Sequence, residues 1–316
     1  MKELESEIDL FDCIDAASDT LDFLEKKSNA LDGIYRPKAD KKEGYTSIIR
    51  FLPNVSKEGK MLQAAIEKHQ HYVDLKNHPD LSGYYDCERN SKDKCEICTE
   101  FFKLFKSNNA AEVEKSNLIK RSTKYYSYIL VIEDKQNPDL VGKIMIYPYG
   151  VKIKDKIKNE KDGNNTSGEP CNVFDLANGK NFKLVIKEVA GFTNYDNSLF
   201  MDISPIQIKG QKAPVEIDEK TGKNRITNTK VKDAIRSFLM ERTVNLEDHT
   251  PKEWTDEDRV KVGKILDVLK GNIVNNASKA ATNSTFDDVT TTEESLSAFG
   301  EDTESDDAGD FFDIED

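Results

Sequence analysis

Apolar residues recur at helical spacing over residues 3–27, where Leu4, Ile8, Phe11, Ile14, Leu21 and Leu24 fall three, four or seven positions apart. That spacing predicts one or two amphipathic helices able to dock on the body of the protein or on a second subunit. A polar linker follows, from Arg36-Pro37 to Gly44, and the period then shortens. Residues 47–52 (SIIRFL) read as a strand stopped by Pro53, and residues 72–75 as a short strand. Phe101, Phe102, Leu104 and Phe105 form an apolar helical turn. Residues 126–132, 143–149 and 182–189 read as strands separated by turn-rich stretches at 136–139 and 162–165. In the last of them Phe182, Leu184 and Ile186 alternate with Lys183, Val185 and Lys187, the pattern of a half-buried strand with a basic outer face. Helices are expected at 231–241 and 256–269.

Several antiparallel strands joined by long loops predict an α+β chain whose core is an OB-fold, a small Greek-key β-barrel, with the two late helices capping it. Beyond Asn275 the periodicity disappears as Asn, Ser, Thr and Asp accumulate, so residues 276–316 read as a disordered acidic tail. The chain thus divides into residues 1–44, a helical arm and linker that is a candidate for self-interaction; residues 45–275, the core; and residues 276–316, the tail.

Composition sharpens this division. Only 37% of the 316 residues are apolar and the mean hydropathy is -0.67, as expected if part of the chain never packs. No apolar run of about 18 residues is present to span a membrane, and the acidic N-terminus is unlike a signal peptide, so a soluble intracellular protein is expected. The net charge is -13, but thirteen acids and no Lys or Arg fall between Thr285 and Asp316. Residues 1–30 hold nine acids against three lysines, which leaves residues 31–284 at +6. A mildly basic body lies between two acidic ends.

Five cysteines fit a reducing compartment, and three of them, Cys87, Cys95 and Cys98, have metal spacing; Cys13 and Cys171 read as bystanders. Tetrahedral zinc needs a fourth ligand, and His69, His71 and His78 are near. His71 is preferred because it opens the expected strand at 72–75, with His69 on the same strand face as its rival. One Zn2+ held by four protein ligands has no open position, so the site would be structural, in a subdomain at about residues 69–105. A redox pair at Cys95 and Cys98 is the alternative, but no thioredoxin-like pattern surrounds it.

Downstream runs Lys120-Arg121-Ser122-Thr123-Lys124-Tyr125-Tyr126-Ser127-Tyr128, a strand carrying both cations and rings. Cations neutralise phosphates and tyrosine faces stack on unpaired bases of any identity, as a sequence-tolerant single-strand binder requires. Tyrosines with lysines are also ordinary on a solvated sheet face. Here the mixture recurs at Tyr147 and Tyr149, at Lys152, Lys154, Lys156 and Lys158, and at Phe192 and Tyr195, which favours a track across separate strands. Arg50, a lone charge in an apolar strand, points into that track or makes a structural ion pair. No Walker loop, dinucleotide fingerprint, nucleophile elbow or His-Glu-x-x-His occurs, so no enzyme is expected. The tail ends Asp310-Phe311-Phe312-Asp313-Ile314-Glu315-Asp316, rings among carboxylates that can compete with DNA or dock on partner proteins.

These residues resemble the single-stranded DNA-binding, helix-destabilising proteins of T-even-type bacteriophages. The resemblance is carried by Ile49-Arg50-Phe51-Leu52-Pro53, the three cysteines, residues 118–131, Gly142-Lys143 with Tyr147, Tyr149 and Gly150, and residues 190–196. It covers residues 45–205 in order, followed by the acidic tail. It implies an OB-fold core with a zinc subdomain, coating of single-stranded DNA in replication, recombination and repair, self-association along the strand, and a tail that recruits replication and recombination proteins. It also implies action in the cytoplasm of the infected bacterial host. On matching positions it implies backbone contacts from Arg50, Lys120 and Arg121, joined by Lys124. Tyr125, Tyr126, Tyr147, Tyr149, Phe192 and Tyr195 would line a stacking groove, with Tyr126 where the family tends to place tryptophan. In two respects the chain departs from the pattern: the first 25 residues are acidic where the family's arm is basic, and the gap from His71 to Cys87 is longer. A zinc-stabilised protein-interaction adaptor and a single-stranded RNA binder are the alternative readings.

Overall fold

The computed structural model describes residues 33–271, apart from 41–42, 57–58 and 166. The helices expected within 3–27 and the tail at 276–316 lie outside the described residues. Among the described residues, alternating sequences assemble one eight-stranded sheet. Its strands are β1 (Tyr45–Phe51), β2 (Ile66–Val73), β3 (Gly83–Asp86), β4 (Arg121–Asp134), β5 (Ile144–Tyr149), β6 (Lys180–Val189), β7 (Phe192–Asn194) and β8 (Leu199–Ile203). The main path runs β3-β2-β4-β1-β6-β7, with β5 added on β4 and β8 on β6. Every ladder between these strands is antiparallel.

β4 organises the sheet. Its first half pairs with β2 and its second half with β1, while β5 bridges the handover from Tyr125 to Leu130. Its second half is covered on both faces, where Ile129, Leu130 and Val131 are all buried. Odd-numbered β4 residues, Tyr125, Ile129 and Val131, join Ile49, Phe51, Tyr149 and Phe182 in one core. Even-numbered ones, Tyr126, Tyr128 and Leu130, join Leu52 and Ile146 in a second.

Five α-helices accompany the sheet among the described residues: α1 (Glu96–Phe105), α2 (Ala110–Ser116), α3 (Val151–Asp162), α4 (Thr229–Met240) and α5 (Asp256–Leu269). The two late helices serve different cores. α4 sends Ile235 and Leu239 to the second core of the sheet. α5 starts in a capping box between Thr255 and Asp258 and sends Val262, Ile265 and Leu269 to a third core, which holds the three cysteines.

Two local expectations change. The short strand expected at 72–75 is the end of β2, which starts at Ile66 and carries both His69 and His71. The lysines at 152–158 lie on α3. Their spacing of two mimics a strand, but Ile153 and Ile157 stand one helical turn apart on the face packed against the first core. Gly163, at φ 75, ends that helix in the left-handed conformation that glycine adopts without penalty.

Candidate metal centre and nucleic-acid interface

β2 brings the ring of His71, the loop after β3 brings Cys87, and the first turn of α1 brings Cys95 and Cys98. All four are buried, and their ligand atoms lie within 4.8 Å of one another. Cys87 Sγ is 3.5 Å from Cys98 Sγ, and His71 Nε2 is 3.6 Å from Cys95 Sγ and 3.4 Å from Cys98 Sγ. A tetrahedron with metal–sulfur bonds of about 2.3 Å has edges of roughly 3.5–3.8 Å, so the spacing fits one such ion. His71 Nδ1 sits 3.0 Å from the Ile119 carbonyl, which makes Nδ1 the donor and turns the Nε2 lone pair toward the sulfurs. Burial disfavours an imidazolium there, yet hydrogen bonding to Cys87 and Cys95 pushes the His71 pKa up to about 9, so a bound metal would take the place of the Nε2 proton. Contact with Cys87 and Cys98 drives the Cys95 thiol down, while Cys87 and Cys95 drive Cys98 up. Three thiolates at this separation repel unless a cation shares their charge. His69, the rival ligand, instead places Nδ1 2.9 Å from Thr123 Oγ1.

The side-chain alternation of β4 divides the cation-and-tyrosine segment between two faces. Arg121 and Tyr125 share the face of His71 and His69. There the Tyr125 hydroxyl donates to Glu67 Oε1 at 2.9 Å, and its ring stacks on Tyr149 at 5.8 Å between centroids. Lys124 and Tyr126 stand on the opposite face, with Lys124 paired to Lys68 of β2. Lys120 precedes the strand, half-buried. Sequence spacing did not single out His249, whose ring lies 4.7 Å from that of Tyr126 at an interplanar angle of 11°. Its separation of more than a hundred residues leaves no local signal.

Four expected contacts, Arg50, Tyr125, Tyr147 and Tyr149, are buried. Arg50 is 0% exposed and its guanidinium donates to the Asp175 carbonyl at 2.6 Å and to Asn181 Oδ1 at 3.3 Å. A Cβ at Gly179 would come within 2.6 Å of Arg50 Nη2, so the glycine makes room for the cation. Burial lowers the Arg50 pKa to about 10, with the Asp175 charge opposing the shift, so the group remains cationic at neutral pH. Tyr147 and Tyr149 are 3% and 4% exposed and pack in the first core. Tyr125 lies in the same core, and all four therefore differ from the expected solvent-facing contacts, because their strands are covered on that face. Phe192 is 55% exposed at the far end of the sheet, after a turn in which Ala190 and Gly191 both have positive φ. Tyr195 packs against the first core, and Lys156 of α3 donates to the Asp196 carbonyl at 3.2 Å. Two groups of expected residues are thus gathered at β4, while Phe192 stands apart.

A family model described as gp32 DNA binding protein like matches residues 42–265. The chain is 32% identical over 181 residues to a single-stranded DNA-binding protein of Enterobacteria phage T2, covering 55% of this chain and 56% of that one. It is 32% identical over 177 residues to a single-stranded DNA-binding protein of Enterobacteria phage T4, again with 55% and 56% covered. The chain therefore spans just over half the length of these relatives. No helix among the described residues is long and apolar enough to cross a membrane.

Proposed function

The chain belongs to the gp32-like DNA-binding family, and from that premise we propose that it coats single-stranded DNA during phage replication, recombination and repair, without catalysing a reaction. The observation that carries this reading is β4, a central strand that shows cations and rings on both faces beside a Cys/His cluster. Lys120, Arg121 and Lys124 neutralise phosphates, which makes affinity sensitive to salt. Tyr126, Phe192 and Tyr195 offer ring faces to unpaired bases, which duplex stacking withholds. Arg50, Tyr125, Tyr147 and Tyr149 act from beneath, as the buried layer that holds those side chains. Binding the single strand alone shifts the melting equilibrium toward it by mass action, with no nucleotide hydrolysis.

We read β1, β4, β5, β6 and β8 as a partly open barrel of the OB type, with the cysteine region as its inserted subdomain. His71, Cys87, Cys95 and Cys98 would hold one structural Zn2+, which ties β2 to the start of α1. The acidic C-terminal segment competes with DNA for the basic face and offers its rings to replication and recombination proteins. The N-terminal arm supports self-association along the strand, and the site of action is the cytoplasm of the infected bacterium. Fluorescence anisotropy of a labelled single strand against its matched duplex, over a salt series and with zinc content on the same sample, tests the whole reading. Tight, salt-sensitive, single-strand-selective binding with one zinc per chain is expected. No binding at low salt, with and without residues 276–316, would overturn it.

A further inference from the structure

The hairpin of β2 and β3 meets the buried Cys/His cluster at one end, since His71 belongs to it and Cys87 adjoins it. Alternation turns His71 and Tyr85 toward the buried side, and Tyr72 and Tyr84 away from it. Tyr72 and Tyr84 stand directly opposite each other across the ladder. Their ring centroids are 4.9 Å apart at 45°, and the residues are 46% and 53% exposed. Paired, exposed rings on an edge strand are costly surface unless something uses them.

The same face continues along β2 through Lys68, which opposes Lys124, to Ile66, which opposes Tyr126. Six residues separate Tyr72 from Ile66, about 20 Å along an extended strand. That face carries the ring pair, then Lys68 in an ion pair with Asp86 at 2.9 Å, then Lys124 and the Tyr126–His249 stack. Rings at the two ends of the face with Lys124 between them match a polymer whose bases and phosphates repeat together.

We propose that Tyr72 and Tyr84 are a base-stacking step of the DNA track, so that the strand runs along this face from the β2–β3 hairpin to Tyr126. The proposal rests on the single-strand-binding reading. It assigns to the cysteine subdomain a direct contact with bases.

The test uses the full chain and two labelled strands of equal length, oligo-dT and an abasic strand with the same phosphates. Tyr72→Ala and Tyr84→Ala should each weaken oligo-dT binding by about tenfold, and Tyr72→Phe and Tyr84→Phe should bind as the unsubstituted chain does. The abasic strand should bind all of these chains alike. Unchanged oligo-dT affinity in the alanine variants, or an equal loss on the abasic strand, overturns the proposal. A strand carrying 5-iodouracil provides a second measurement on the unsubstituted chain: photoadducts are expected on Tyr72 or Tyr84, and adducts confined to other tyrosines overturn it. If the unsubstituted chain does not prefer single strand to duplex, the underlying reading fails instead, which separates the two.

Discussion

The sheet around β1, β4 and β6 and the lobe around Cys87, Cys95 and Cys98 solve the same problem by different means. The sheet buries rings against rings: Phe51 lies within 6.1 Å, between centroids, of Tyr149, Phe174, Phe182 and Phe200. It seals one edge with a polar network in which Asp134 accepts from the hydroxyls of Tyr35 and Tyr45. The lobe has one short hairpin, two helices and α5, and four of its inward side chains are sulfur or imidazole ligands. A metal bound by those four would add coordination bonds to the apolar packing of Val73, Ile97, Ile119 and Val262, and removing it would leave three sulfur groups and an imidazole facing one another in that core. The sheet should therefore hold without metal and the lobe should not.

The largest effect that could break this contrast is removal of the metal. Chelation, or Cys95→Ser, should abolish amide-exchange protection in β3 and α1 while β1 and β6 stay protected; metal binding in comparable sites is worth about 10–16 kcal/mol. Equal loss in both regions would mean that the two do not fold separately. Next in size, Phe51→Ala should cost about 3–5 kcal/mol in urea unfolding with zinc content unchanged. Loss of zinc in that variant would show that the sheet supports the lobe.

The buried pair of Lys180 and Glu160, 2.6 Å apart, ties β6 to α3. Lys180→Met alone should destabilise by about 3–5 kcal/mol, because Glu160 is left buried and uncompensated, whereas the double change to Met and Gln should recover most of the loss. A smaller effect concerns binding. Arg121→Ala should weaken all single strands and lower the slope of log affinity against log salt by about one, and an unchanged slope would remove Arg121 from the phosphate contacts.

The smallest effect is a pH limit on the sheet. Burial, reinforced by the bond to Asp134, pushes Tyr45 up to about 12, and burial against a lowering hydrogen bond from Ser127 pushes Tyr149 up to about 12. The folded state thus favours the neutral phenols. Their stabilisation is complete below the unfolded pKa of about 10 and is lost as pH rises through 12. Tyrosinate absorbance should show these groups ionising together with unfolding, and ionisation near pH 10 in the folded protein would contradict the buried network.

Much of this was legible locally. The alternation over 182–189 and 143–149 marks β6 and β5, the cysteine spacing marks a metal cluster, and the cation-and-tyrosine run marks β4. Local pattern suffices there because each signal is complete within a few residues. It fails at Lys152, Lys154, Lys156 and Lys158, where a spacing of two fits either period and only the packing of Ile153 and Ile157 selects a helix.

The sequence by itself determined β1, β4, β5 and β6, the basic body between acidic ends, and the close spacing of the three cysteines. Tertiary structure decided what those residues face. His69 and His71 share a strand face, and only the meeting of β2 with the start of α1 puts the His71 ring among the sulfurs. Arg50 has the sequence of a phosphate contact, but the Asp175 loop closes over it. Tyr72 and Tyr84 are twelve positions apart and become one surface only through strand pairing. The physical reason is common to all three: hydrophobic period fixes which way a side chain points from its own strand, while its neighbours come from distant chain whose position depends on the packing of whole elements.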